Sequence, residues 1–130
     1  MNFNTEQFQR LEKELSKARE NLIVVEGKKD KLALQQLSFT NIFVINETGK
    51  SLYEKIEEIE ALARKEKNIK RKIKVCILTD FDRKGRKLYM MLKSELSKRG
   101  IKLDNTLRDI LLRMHVSHIE GLNTFIENQK

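Results

Sequence analysis

Apolar residues in this chain follow two rhythms, short unbroken runs and longer stretches with an apolar residue at every third or fourth position. The runs at 22–25 (Leu22, Ile23, Val24, Val25), 41–45 and 73–78 predict buried strands, because a strand covered on both faces shows no polar alternation. The spaced stretches predict helices. Phe8, Leu11, Leu15 and Ala18 follow an Asn4 cap paired with Gln7, and Leu32, Ala33 and Leu37 lie on one side of a helix over 28–37. Ser51 and Glu54 form a capping box ahead of Leu52, Ile56, Ile59 and Ala63, in a helix ending near Lys67. Leu88, Met91, Leu92 and Leu96 face inward from a helix over 84–99 that Gly100 stops. Leu107, Ile110, Leu111 and Met114 mark a short helix over 106–112, and 113–116 is expected to be a fourth strand. Ser117 and Glu120 are expected to box the start of a last helix carrying Ile119, Leu122, Phe125 and Ile126.

Strands alternating with helices of crossover length predict an α/β fold with a mostly parallel sheet and right-handed connections. Three acids stand at the ends of two of these strands. Glu26 closes the first run, and Asp80 and Asp82 follow the third in the string Thr79, Asp80, Phe81, Asp82, Arg83, Lys84, Gly85. Open α/β sheets bind ligands at this C-terminal edge, at a switch in strand order. Order 2-1-3 makes the first and third strands neighbours and brings the three acids together. Such a trio suits a hard divalent cation, Mg²⁺ with Mn²⁺ as its substitute, which takes oxygen ligands and keeps some water. In an extended segment Asp80 and Asp82 point to one side and Phe81 to the other. Taken singly, each acid would also be explained as a helix cap.

Composition sharpens this picture. The 130 residues suit one soluble domain: an N-terminal helix over 1–20 packed on a core domain over 21–130. A single Cys rules out an internal disulfide, and no apolar run reaches the ~20 residues of a membrane helix. With a polar N-terminus and no signal peptide, the expected location is cytoplasmic, with no membrane partner. The net charge of +8 favours a polyanionic partner, nucleic acid before others, although lysine also serves solubility.

The placement of the cations is more specific than their number. Lys28, Lys29 and Lys31 open one helix, and Arg83, Lys84, Arg86 and Lys87 open another. Cations at a helix N-terminus oppose its dipole, so folding gives little reason for them, whereas substrate phosphates beside the acids would. Lys70, Arg71, Lys72 and Lys74 follow a helix and precede a strand, and are read as structural. Gly49, Lys50 and Ser51 resemble the tail of a P-loop, but Val44 stands where its first Gly belongs. Lys50 or Thr48 would still lie at the functional edge, in a turn that leads into a helix. His115 and His118 lack the partners of a zinc site and are read as structural or exposed. Cys76, inside a strand, is expected to be buried and inert, and of Met90 and Met91 one is expected in the core.

Glu26, Gly27, Lys28, Lys29 and Asp30 after one strand, with Asp80 to Gly85 after another, resemble the Toprim domain. The resemblance runs from Leu22 to Val116 and is strongest to the small standalone members. It implies a Rossmann-like three-layer fold with a mostly parallel four-stranded sheet of order 2-1-3-4 flanked by helices. It also implies that Glu26 is the catalytic or metal-bound glutamate and that Asp80 and Asp82 are the metal-binding pair. Three functions follow as expectations. The first is Mg²⁺-dependent cleavage of, or nucleotidyl transfer to, DNA or RNA. The second is a non-catalytic metal- and nucleic-acid-binding module that recruits a partner. The third is a phosphohydrolase of small esters, disfavoured because haloacid-dehalogenase-type enzymes carry the Asp pair after the first strand. A bare domain offers little surface to grip a duplex, so a homodimer or a protein partner is expected.

Overall fold

A computed structural model describes residues 5–47, 49–65 and 73–129. The Asn4 cap, Thr48, the helix end near Lys67 and the run Lys70, Arg71, Lys72 lie outside the described residues. In chain order the elements are α1 (Thr5–Ala18), β1 (Leu22–Val25), α2 (Lys28–Gln36), β2 (Ile42–Val44), a 3-10 turn (Ile45–Glu47), α3 (Leu52–Lys65), β3 (Val75–Ile77), α4 (Arg83–Lys98), α5 (Thr106–Arg113), a second 3-10 turn (Ile119–Gly121) and α6 (Leu122–Gln129).

The strands form one parallel sheet of order β2-β1-β3. Ile23 pairs with Ile42 on one side and with Cys76 on the other. Alternation along β1 sends Ile23 and Val25 to one face and Leu22 and Val24 to the other. The first pair is buried with Leu11 and Leu15 of α1, Leu34 of α2, Leu107 and Leu111 of α5, and Leu122 of α6. The second is buried with Ile56 and Ile59 of α3 and Leu92 and Leu96 of α4. Helices therefore cover both faces, and each fully buried aliphatic side chain contributes about 1.5–3 kcal/mol.

The Ser51–Glu54 box forms as expected, with Glu54 N–H donating to Ser51 Oγ and Ser51 N–H to Glu54 Oε1, both at 3.2 Å. Gly100 ends α4 at φ +78°, a conformation that glycine adopts without strain.

Four expectations need correction. The order is 2-1-3 rather than 2-1-3-4, because 113–116 is not a strand: α5 runs through Arg113, His115 has φ +61°, and Val116 N–H turns back to Leu111 O at 3.1 Å. The outer edge of β3 instead takes a single parallel bridge between Val75 and Leu103. Ser117 and Glu120 do not box a helix. Ser117 Oγ bonds His118 Nδ1, and a 3-10 turn precedes α6. Leu32 (50% exposed) and Met91 (44%) lie at the solvent margins of their helices, and Met90 is also exposed, so neither methionine is in the core.

Candidate metal centre

The C-terminal ends of β1 and β3 lie side by side, since Leu78 N–H donates to Val24 O at 2.8 Å. Just past this point, the chain of Asp80 meets the side chain of Glu26: Asp80 N–H donates to Glu26 Oε1 at 3.1 Å. Glu26 is itself fixed through its carbonyl, which accepts Asn46 N–H at 2.9 Å.

Asp82 caps α4, with its Oδ1 accepting Gly85 N–H at 2.8 Å. Asp80 Oδ1 accepts Ile119 N–H at 3.1 Å. Each of the three acids thus commits one oxygen to a backbone donor, and of the three Asp82 is the one that caps its own helix. This leaves each carboxylate a second oxygen. One ligand atom each from Asp80, Asp82 and His118 lie within 4.8 Å of one another, and His118 Nε2 is 3.9 Å from Asp82 Oδ2. Glu26 stands outside this trio, joined to it through the Asp80 N–H. The donors are mainly hard carboxylate oxygens, and the side chains of Asp82 and His118 are each 52% exposed, leaving room for water. This donor set fits a Mg²⁺-like cation held by Asp80 and Asp82 with Glu26 beside it.

Burial raises the Glu26 pKa above the ordinary carboxylate value. The Asp80 N–H bond opposes this, and the charges of Asp80, Asp82 and Asp30 add to it. Asp30, buried in the first turn of α2, is also raised, chiefly by burial. It accepts Gly27 N–H at 3.0 Å, and the Glu120 backbone lies near enough to oppose the rise. Asp80 therefore ties down the 3-10 turn at 119–121, and α2, which carries Asp30, packs against the same turn.

The floor of the centre is Arg108, a residue that local sequence pattern does not single out. It projects from α5 and is 5% exposed. Its Nη1 donates to Thr79 O at 2.7 Å and Ile77 O at 3.3 Å, and its guanidinium lies 4.6 Å from the Phe81 ring centroid and 4.1 Å from that of Tyr89. Burial holds its pKa below the ordinary arginine value. A charged residue on a periodic helix reads as solvent-facing, and only the rings and carbonyls of distant segments make its burial tolerable. His118 likewise escapes a reading of local pattern, because its acidic neighbours lie far from it in sequence.

Lys28, Lys29, Arg83, Lys84, Arg86 and Lys87 are all exposed, in the first turns of α2 and α4 at this edge of the sheet. None forms an ion pair with a described residue. Lys29 also lines an open groove of about 450 Å³ that runs past Glu120 and Asn123. Lys50 is ion-paired with Glu58 and so is not a ready phosphate contact. Cys76 is buried, which pushes its thiol pKa up to about 12 and suits the inert role expected of it.

A parallel α/β sheet carrying a glutamate after one strand and an Asp-x-Asp pair after its neighbour defines a class of metal-dependent phosphate-chemistry domain. The Toprim domain model matches residues 21–114, and the chain belongs to the Toprim domain family. It is similar to UPF0292 protein MJ1624 of Methanocaldococcus jannaschii, at 29% identity over 116 residues, which span 86% of this chain and 83% of the relative. It is also similar to UPF0292 protein Mbar_A0484 of Methanosarcina barkeri, at 30% identity over 126 residues, which span 93% and 81%. A solved structure of an Aquifex aeolicus protein matches with a TM-score of 0.66 at 29% identity, covering 93% of this chain and 99% of that one. Toprim membership points to a metal-dependent, nucleic-acid-related role, and Toprim domains usually bind Mg²⁺. Among the described residues, no helix is long and apolar enough to cross a membrane.

Proposed function

We propose that this protein carries out Mg²⁺-dependent phosphodiester chemistry, cleavage or nucleotidyl transfer, on DNA or RNA. The observation that carries the reading is the bond from Asp80 N–H to Glu26 Oε1, which joins two acidic strand ends 54 residues apart in sequence. Asp80 and Asp82 are the residues that would hold the cation, with Mn²⁺ able to replace Mg²⁺. When bound, the cation neutralises charge on the phosphate and on the attacking and leaving oxygens. Glu26, partly buried beside the pair, moves a proton at the attacking or leaving oxygen. Lys28, Lys29, Arg83, Lys84, Arg86 and Lys87 bind flanking phosphates and set the strand's position without reading its sequence. A homodimer or a protein partner supplies the rest of the grip on a duplex.

The test is a cleavage assay on single- and double-stranded DNA and RNA in Mg²⁺ and in Mn²⁺, with wild type and Glu26→Gln. Turnover that Glu26→Gln abolishes, with nucleic-acid binding retained, supports the enzyme. Binding without turnover in either metal overturns it in favour of a recruitment module. Turnover confined to small phosphate esters overturns it in favour of a phosphohydrolase.

A further inference from the structure

Both histidines of the chain lie beyond residue 114, outside the stretch that the Toprim model matches. One of them is carried to the acidic pair by a turn anchored on either side of it. Phe81 N–H donates to Ser117 O at 3.1 Å, and Ile119 N–H donates to Asp80 Oδ1 at 3.1 Å. The residue between these two anchors is His118. Its neighbours are thus bonded to the two residues that immediately precede Asp82.

We propose that His118 is a nitrogen ligand to the cation held by Asp80 and Asp82, and that it biases the centre toward Mn²⁺ and other nitrogen-accepting divalent cations over Mg²⁺. The inference rests on the reading above that the aspartate pair binds a cation. Its geometric basis is the spacing of His118 Nε2 and Asp82 Oδ2, 3.9 Å. That is too long for a hydrogen bond, so the two groups do not satisfy one another. It falls within the span of one octahedral ion, whose ~2.1 Å bonds set adjacent ligands ~3.0 Å and opposite ligands ~4.2 Å apart. The far side of the ring supports the same role. Nδ1 lies 3.0 Å from Ser117 Oγ. A proton on Nδ1 donated to that hydroxyl leaves the Nε2 lone pair facing the acids, the arrangement in which a second partner orients a metal-bound imidazole. Core packing does not account for the position, since the side chain is 52% exposed. Imidazole suits transition metals, whereas Mg²⁺ prefers oxygen and water, so the nitrogen shifts selectivity within an otherwise oxygen-based set.

The full chain loaded with Mn²⁺ tests this by pulsed electron paramagnetic resonance, which reads ¹⁴N coupling to the bound ion, alongside calorimetric titration with Mn²⁺ and Mg²⁺. The expected result is ¹⁴N coupling that His118→Gln removes and His115→Gln keeps. His118→Gln should also weaken Mn²⁺ about tenfold or more while changing Mg²⁺ by less than about threefold. Bound Mn²⁺ without nitrogen coupling, or with coupling that survives His118→Gln, overturns the role of His118 and leaves the cation reading standing. A wild-type chain that takes up neither Mn²⁺ nor Mg²⁺ overturns the cation reading and this inference with it.

Discussion

Gly85 lies against the backbone of Asp80 so closely that a Cβ on it would sit 2.1 Å from the Asp80 carbonyl oxygen and 2.9 Å from the Asp80 nitrogen. Gly85 also gives its N–H to Asp82 and accepts Thr79 Oγ1–H at 2.8 Å on its carbonyl, so the first turn of α4 is clasped to the acidic loop at three points. Gly85→Ala meets backbone, which cannot swing aside as a side chain can. It should lower stability by about 1–3 kcal/mol in urea unfolding and weaken Mn²⁺ binding by calorimetry. An unchanged urea midpoint would mean that the loop yields freely.

Arg108 should prove more than a packing residue. Arg108→Met removes a buried cation from the carbonyls of Ile77 and Thr79 and from between the rings of Phe81 and Tyr89. Hydrogen bonds from a charged donor and a desolvated cation–π contact each contribute about 2 kcal/mol, so the expected loss is about 2–4 kcal/mol. Arg108→Lys should rescue little of it, because an ammonium lacks the flat fork that reaches several carbonyls while stacking on rings. Chemical denaturation of the two variants, compared side by side, checks both statements.

Glu26 sets function against stability. Because burial raises its pKa, the folded chain binds more protons than the unfolded chain between the ordinary carboxylate value and the raised one. Stability therefore falls as pH rises through that window, and Asp30 acts with the same sign. Glu26→Gln removes the burdened charge and keeps an oxygen for the Asp80 N–H. Without divalent cations its melting temperature should exceed that of wild type at pH 7, with the difference closing below about pH 4. Added Mn²⁺ should raise the melting temperature of wild type more than that of the variant. A Glu26→Gln chain that melts lower than wild type at pH 7 would refute the pH argument.

The cations at the start of α4 should behave in the opposite way. Paired substitution Lys84→Ala with Lys87→Ala should weaken DNA or RNA binding and reduce its logarithmic salt slope by about 0.7–0.9 for each phosphate no longer neutralised. Stability should hold within about 0.5 kcal/mol or rise slightly, since the removed charges oppose the helix dipole. Filter binding across a salt series, paired with thermal melts, separates this from a folding defect; an unchanged slope would remove the pair from the nucleic-acid surface.

Local pattern accounts for what is legible in the sequence. β1, β2 and β3 are readable as apolar runs, and α3 from its spacing and its Ser51–Glu54 box. The acidic edge follows because the strand ends and a neighbouring β1–β3 pairing imply one another. Contacts between distant segments account for the rest. The apolar Val116 suggests a strand, but the left-handed His115 turns the chain away from the sheet, and Leu103 takes the edge of β3 instead. Leu32 and Met91 fit the helical period yet sit at its margin, where a small rotation decides exposure. Arg108 and His118 are not legible as site residues because their partners belong to other parts of the chain.

The clamp on residues 119–121 also sets an order of events during synthesis. Asp80 gives an oxygen to the N–H of Ile119, a residue made 39 positions later, so it lacks its final partner while β3 and α4 emerge. The acidic corner is thus completed by a turn made after every strand of the sheet, and a chain shortened ahead of that turn would leave the Asp80 carboxylate without its backbone donor.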